Sequence, residues 1–339
     1  MNNVIRVGLV GTGRIGRVHA QTVSQRIPQA QLTTLTDVNL AAAQQAAQDF
    51  NVPKVAQTFT DLLDDDSIDA VLICSSTDTH APFIIQAAQA GKHIFCEKPI
   101  AADLKVIDEA LAAVEAAGVK LMIGFNRRFD ANYQRVKDAI AQGDIGEPHL
   151  MHIISRDPAP PPIAYVKVSG GMFFDMTIHD FDMARFLLGE VEEIYAAAGV
   201  MVDPAIGEAG DVDTAVLTLR FTNGAIGTID NSRQAVYGYD QRVEVFGSKG
   251  SASSANLYAD AVTLSTAENV RRGLPLNFFM DRYIPSYQKE VEAFIHSIQS
   301  DSPLPVTGLD GRAPVVMAKA AMKSLQENRP VRLTEIENS

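Results

Sequence analysis

A doubly wound parallel α/β domain followed by an α+β domain with a largely antiparallel open sheet is the fold class this sequence predicts. Three observations predict it. Near the start of the chain, the glycine-rich turn GLVGTGRIG joins an apolar run to a helical stretch. Short β-branched runs then alternate with Ala-rich amphipathic segments up to about residue 123, the pattern of strands crossed over by helices in a parallel sheet. From about residue 148 the chain changes to long alternating runs separated by turn signals, the pattern of antiparallel strands with one wet face.

The first strand is predicted over 5–10 and runs into Gly11, Gly13 and Gly16. Gly11 permits the tight strand-to-helix turn, Gly13 lets a pyrophosphate approach the backbone, and Gly16 lets the helix pack on the strand. A phosphate at that helix start meets unpaired N–H groups and the positive end of the dipole. The second strand, 31–36, ends at Asp37, the acid a dinucleotide site places on the adenosine ribose. Gly11, Thr12, Gly13, Arg14, Ile15, Gly16 and Asp37 therefore form the candidate cofactor site. A carboxylate at Asp37 would repel a 2′-phosphate, and Val38 and Asn39 after it are not arginine, so NAD is expected over NADP. Arg14, within reach of the adenosine side, works against that preference. Further strands are predicted at 69–74, 93–96 and 119–123, with helices at 40–49, 79–90 and 103–117. The parallel domain is placed at 1–124.

The second domain is placed at 125–339, with the final helix free to pack back on the first. Its strands are read from HLMHIISRD, DTAVLTLRF, AIGTIDNSRQ and QRVEVFGS, divided by Thr222-Asn223-Gly224 and by Gly247 to Gly250. Helices follow at 286–299 and 309–327, and Pro158 to Pro162 make a stiff extended loop. At 339 residues the chain exceeds what one core usually serves, and its 46% hydrophobic content suffices for two. A net charge of -12 argues against nucleic-acid and anionic-membrane surfaces, which need basic patches. No apolar run reaches membrane-spanning length and the first strand begins within a few residues, so a cytoplasmic protein is expected. Cys74 and Cys96 lie in short apolar runs and read as buried free thiols.

Three clusters carry possible chemistry. Glu97-Lys98-Pro99 follows a strand whose carboxyl end should face the cofactor cleft, against the plainer reading of a surface lysine at a strand end. The X-Pro bond there is a candidate for the cis form. Residues 170–189 read as one helix on which Asp175 and His179, four apart, share a face. A carboxylate beside an imidazole suits a general base that takes an alcohol proton, although such pairs are also ordinary helix-surface contacts. Asp182 adds no metal-site spacing, so no metal is expected. The third cluster is GFNRRFD at 124–130, Arg156, Asp157, Tyr239 and Tyr287, groups that together offer the donors and acceptors a polyol needs, and that singly read as ion pairs and half-buried tyrosines.

GTGRIG, SSTDTH from Ser75 to His80, EKP at 97–99 and GGMFFDMTIHDFD together resemble the Gfo/Idh/MocA family of oxidoreductases, over essentially the whole chain. Within it, GFNRRFD and SRDPAPPP resemble the inositol dehydrogenase group. The resemblance implies a Rossmann domain, a catalytic triad of Lys98, Asp175 and His179, and a polyol ringed by Arg127, Asp157, Tyr239 and Tyr287. It also implies that Ser75, Ser76, His80, Glu97 and Lys98 join the glycine turn around the cofactor. The activity it implies is NAD-dependent oxidation of myo-inositol to the 2-keto compound. Rival readings are a dehydrogenase for scyllo-inositol or another sugar, and a non-catalytic NAD-binding regulator. An open sheet leaves apolar surface to cover, so a homo-oligomer is expected, a tetramer by the resemblance.

Overall fold

The computed structural model describes residues 4–337. The chain begins with β1 (Ile5–Val10), α1 (Arg14–Arg26), β2 (Ala30–Thr36), α2 (Leu40–Phe50), β3 (Lys54–Val55), α3 (Phe59–Leu63), β4 (Ala70–Ile73), α4 (Thr77–Gln89), β5 (His93–Glu97), α5 (Leu104–Ala117) and β6 (Leu121–Gly124). These strands form one sheet in the order β3-β2-β1-β4-β5-β6, with every pair parallel. The order reverses between β1 and β4, and ligands bind outside the carboxyl ends of strands at such a switch point. β4 is buried along its whole length, which is why its sequence, AVLI, is a continuous apolar run rather than an alternating one. Asn39 and Asp103 cap α2 and α5 by accepting backbone N–H groups, fixing where those helices start. The short β3 and α3 have no counterpart in the sequence reading, because neither is long enough to show a period.

The second sheet is built from β7 (Pro148–Arg156), β8 (Val191–Gly199), β9 (Thr214–Phe221), β10 (Ile226–Ser232), β11 (Asp240–Gly247) and β12 (Gly250–Ser254). Before β7 comes α6 (Ala131–Ala141), and between β7 and β8 lie α7 (Ile163–Val166), α8 (Met172–Asp175) and α9 (Thr177–Leu188); α10 (Pro204–Glu208) precedes β9. The order is β12-β11-β7-β10-β9-β8, extended at the β8 edge by β15 (Val331–Arg332). All neighbours are antiparallel except β7 and β10, which run parallel with Ile153 opposite Ile229. One face packs on helices, α9 lying against β7 and β10. The other alternates to solvent and leaves Leu150, Val216, Ile226 and Phe246 exposed. An exposed hairpin of β13 (Thr263–Ser265) and β14 (Val270–Arg272) follows β12.

The chain ends with α11 (Phe279–Gln299), α12 (Gly308–Glu327), β15 and α13 (Thr334–Glu337). Two compact units result: residues up to Phe129 with Ile284–Ala313, and Asp130–Tyr283 with Pro314 onward. A second domain running unbroken over 125–339 does not describe this division. α11 begins in the second unit and continues in the first, and α12 does the reverse, so the two long helices share their residues between the cores.

Candidate active site

The glycine turn joins β1 to α1 in the first unit. Gly11 sits at φ +91°, and a Cβ there would lie 2.5 Å from the Ser75 nitrogen. A Cβ on Gly16 would lie 1.8 Å from the Gly11 carbonyl oxygen, so helix and turn meet only through glycine. Gly13 is the opposite case: exposed, with nothing within 4 Å of its missing side chain, and it stands at the N-cap of α1 without a side-chain cap. That leaves the helix start open to an anion, the cradle a pyrophosphate requires. The Asp37 carboxylate accepts from the Thr12 N–H at 2.6 Å, the Thr12 hydroxyl at 3.0 Å and the Asn39 N–H at 2.8 Å. It is thereby fixed at the end of β2, where a ribose would present its hydroxyls. These residues fit a dinucleotide. The turn would hold its phosphates, with Arg14 and Ile15 opening α1, and Asp37 its adenosine ribose.

Ser75 and Ser76 lead into α4, whose N-terminus likewise lacks a side-chain cap. His80 is 2% exposed, with Nδ1 2.8 Å from the Pro99 carbonyl oxygen and Nε2 3.1 Å from that of Ser75. Burial lowers its pKa against the opposing pull of both carbonyls and Glu97. Geometry thus makes it a tie between the loops after β4 and β5. The Lys98–Pro99 bond is cis, and Lys98 is half-buried. Glu97 accepts from His19 Nε2 at 2.6 Å. His19 stands edge-on to Phe95 and to Tyr287, whose ring centroids are 5.1 and 5.7 Å away. Tyr287 therefore belongs to the first unit, in α11, and is buried there.

Glu290, one turn further along α11, is fully buried, and neither carboxyl oxygen has a hydrogen-bond partner among the described residues. Atoms of His19, Glu97 and Glu290 lie within 4.8 Å of one another. Burial, then the charge of Glu97, pushes the Glu290 pKa well up. Arg127 is 5% exposed in the 3₁₀ turn Asn126–Phe129, beside Arg128, which bonds Asp310 at 3.0 Å. Cys96 is buried, Cys74 is half-buried rather than buried, and both are free.

In the second unit, residues 170–189 are two helices rather than one. Backbone bonding changes at Met176, whose N–H reaches Met172 at 2.9 Å, while the His179 N–H turns to Met176, three residues back, at 3.3 Å. Asp175 thus closes α8 and His179 lies in the first turn of α9, so the shared helix face expected for them is broken. The Asp175 carboxylate accepts from Tyr165 Oη and from Arg233 Nη1, each at 2.8 Å. Neither donor stands out in the sequence reading. A signal for Arg233 exists: along β10 Ile229 and Asn231 point inward, Asp230 and Ser232 do not, and Arg233 continues the inward set. An arginine in an inward position demands a buried anion. Glu290 carries the same kind of signal, a carboxylate on the buried stripe with Tyr283, Tyr287, Val291 and Phe294.

Asp157 lies just past β7, held by backbone bonds to Ser232 at 2.9 Å and Ala235 at 2.6 Å. Tyr239 is buried edge-on to Tyr283, with ring centroids 6.1 Å apart. Arg156 is spent elsewhere, donating to Asp230 and, at 3.1 Å, to the Tyr237 hydroxyl.

A dinucleotide cradle at the switch point of the first unit is the mark of a nucleotide-dependent oxidoreductase, and the second unit adds a carboxylate, Asp175, held by two donors. Residues 5–125 match the oxidoreductase family with an NAD-binding Rossmann fold, and residues 133–253 match the GFO/IDH/MocA C-terminal domain. The chain is 48% identical to the myo-inositol 2-dehydrogenase of Thermotoga maritima, over 98% of its own length and 99% of the relative's. It is 45% identical to the inositol 2-dehydrogenase of Rhizobium meliloti, over 96% and 98% respectively. The scyllo-inositol dehydrogenase of Lactobacillus casei, solved with NAD(H) and scyllo-inositol, superposes with a TM-score of 0.91 at 30% identity, covering 98% of this chain and 100% of that one. The chain belongs to the GFO/IDH/MocA family of NAD-dependent oxidoreductases.

Proposed function

We propose that the protein oxidises myo-inositol to 2-keto-myo-inositol with NAD. The observation that carries this is the near-full-length likeness to the Thermotoga maritima myo-inositol 2-dehydrogenase. NAD, when bound, supplies the acceptor for the hydride that leaves the ring carbon. In this reading His179 takes the hydroxyl proton, Asp175 stabilises the imidazolium that forms, and Lys98 hydrogen-bonds the same oxygen as it gains negative charge. The C–H pair departs as hydride and the carbon–oxygen bond becomes double, which balances the proton and electron pair lost by the alcohol. Arg127, Asp157, Tyr239 and Tyr287 bind the remaining hydroxyls, and Ser75, Ser76 and Glu97 assist the cofactor.

The test is NADH formation with NAD and a panel of myo-inositol, scyllo-inositol, D-chiro-inositol and glucose, beside His179→Ala. Turnover of myo-inositol above the others, abolished in the variant, supports the proposal. Preference for scyllo-inositol or glucose moves the substrate within the family, and tight NAD binding without turnover favours a sensor. We also propose a cytoplasmic homotetramer, since the open face of the second sheet exposes Leu150, Val216, Ile226 and Phe246. A monomer by light scattering at micromolar concentration would refute that.

A further inference from the structure

Arg233 is among the largest fully buried side chains of the protein, and its surroundings explain why a charge is tolerated there. Its Nη1 donates to Asp175 Oδ2 at 2.8 Å, and its Nη2 lies 3.7 Å from Asp211 Oδ2. Asp211 in turn accepts the Met172 N–H at 3.0 Å, holding the start of α8 whose last residue is Asp175. One guanidinium therefore joins both ends of the helical turn that carries the carboxylate. Burial by itself would lower the Arg233 pKa, and the charges of Asp175, Asp157 and Asp211 with the Asp175 hydrogen bond more than reverse this. On the other side the Tyr165 hydroxyl donates to Asp175 Oδ1 at 2.8 Å, from an exposed residue of α7. Each carboxylate oxygen is thus claimed by one donor, which fixes the plane of the group as well as its charge.

We propose that Arg233 and Tyr165 are positioning residues that hold Asp175 as an oriented carboxylate toward His179, so that proton transfer at His179 depends on a pair of donors outside the Lys98, Asp175, His179 set. This rests on the roles proposed above for Asp175 and His179. In this reading each donor acts through Asp175. A carboxylate that turns or takes up a proton loses its hold on the imidazolium, and the loss falls on the chemical step rather than on substrate affinity. In this reading the fixed positive charge of Arg233, bonded to Asp175, offsets part of that carboxylate's hold on the imidazolium, so removing it raises the pH at which the imidazole becomes neutral. Losing the Tyr165 donor makes Asp175 a stronger acceptor and moves His179 the same way.

The experiment compares wild type with Arg233→Met, Arg233→Lys and Tyr165→Phe, with folding checked by circular dichroism. Arg233→Met is expected to lower kcat by about 100-fold with KM changed less than about threefold, and to move the acid limb of kcat/KM upward by about one pH unit. Arg233→Lys restores the position of the limb while recovering only part of kcat. Tyr165→Phe, on an exposed residue that should fold whatever becomes of Arg233→Met, shows a smaller upward shift and a loss of about tenfold in kcat. A second readout needs no substrate: the rate at which diethylpyrocarbonate modifies His179 as pH rises, with His179→Ala as the blank, reports the same ionisation. If wild type turns over no inositol, the proposed activity fails while this titration still tests the donors. Unchanged His179 titration midpoints in folded Arg233→Met, or in Tyr165→Phe should the former not fold, would overturn the inference, as would equal losses in Arg233→Met and Arg233→Lys with no movement of the limb.

Discussion

Replacing Glu290 by glutamine should stabilise the protein increasingly as pH rises above about 4.5, the ordinary glutamate value. The carboxyl is fully buried with both oxygens unpartnered among the described residues, and burial followed by the charge of Glu97 raises its pKa well above 4.5. The folded protein therefore keeps a proton that the unfolded chain releases near 4.5. Between that pH and the folded pKa the native state binds one more proton than the unfolded state, so stability falls as pH rises. The slope is about 1.4 kcal/mol per pH unit, and two units into the window amount to about 3 kcal/mol. Glutamine has nearly the same shape, cannot ionise, and can donate toward Glu97. The difference in unfolding free energy between Glu290→Gln and wild type should thus be small at about pH 4.5 and grow to about 3 kcal/mol at about pH 6.5, read from paired urea titrations. A constant offset at both values, whatever its size, would refute the reasoning, because it would mean that Glu290 has the same protonation folded and unfolded.

Asp213 is fully buried and accepts the N–H groups of Met201, Val202 and Asp203 at 2.7, 2.8 and 3.0 Å. Burial raises its pKa, but these bonds and that from Thr214 lower it further, so its contribution to stability is present above the ordinary aspartate range and is lost as pH falls through the folded value. Asp213→Ala should cost about 3 kcal/mol at neutral pH in a urea titration, with the deficit shrinking in acid. Asp37→Ala should weaken NAD selectivity over NADP by about tenfold, since the carboxylate that meets the ribose is gone; unchanged kinetics with both cofactors would remove Asp37 from that site. Lys98→Met should lower kcat by about 1000-fold and leave NAD affinity, followed by fluorescence, within about threefold.

The parallel sheet was legible because each of its features has a local cause. Gly11 and Gly16 are demanded by backbone clashes within a few residues or with the next strand, and β4 is apolar throughout because it is buried on both faces. The break at Met176 was not legible: nine of the twelve residues in α9 are buried, Thr177, Asp180 and Asp182 among them, so polar and apolar residues do not separate onto two faces and no period marks where one helix stops and another starts. Lys98, Asp175 and His179 could be named from their motifs, but the donors to Asp175 come from residues 10 and 58 positions away, a separation that no spacing rule covers. Tyr287 is the reverse case: its residue type suits a polyol and could be read from the sequence, while its place on α11 edge-on to His19 is decided by tertiary contact alone.

That division also sets an order of events during synthesis. Domains tend to fold from the N-terminus as they leave the ribosome. Here residues up to Phe129 emerge without Tyr287, Val291, Phe294 and Ile295, all buried in the first unit, where Phe294 lies 5.9 Å from Phe95. The nascent NAD-binding sheet must therefore wait, with that flank uncovered, while the whole segment Asp130–Tyr283 is translated. A gene fragment cut at 129 would encode the cofactor turn but not a finished core, and exchange of this unit between relatives would have to carry two separate stretches of chain.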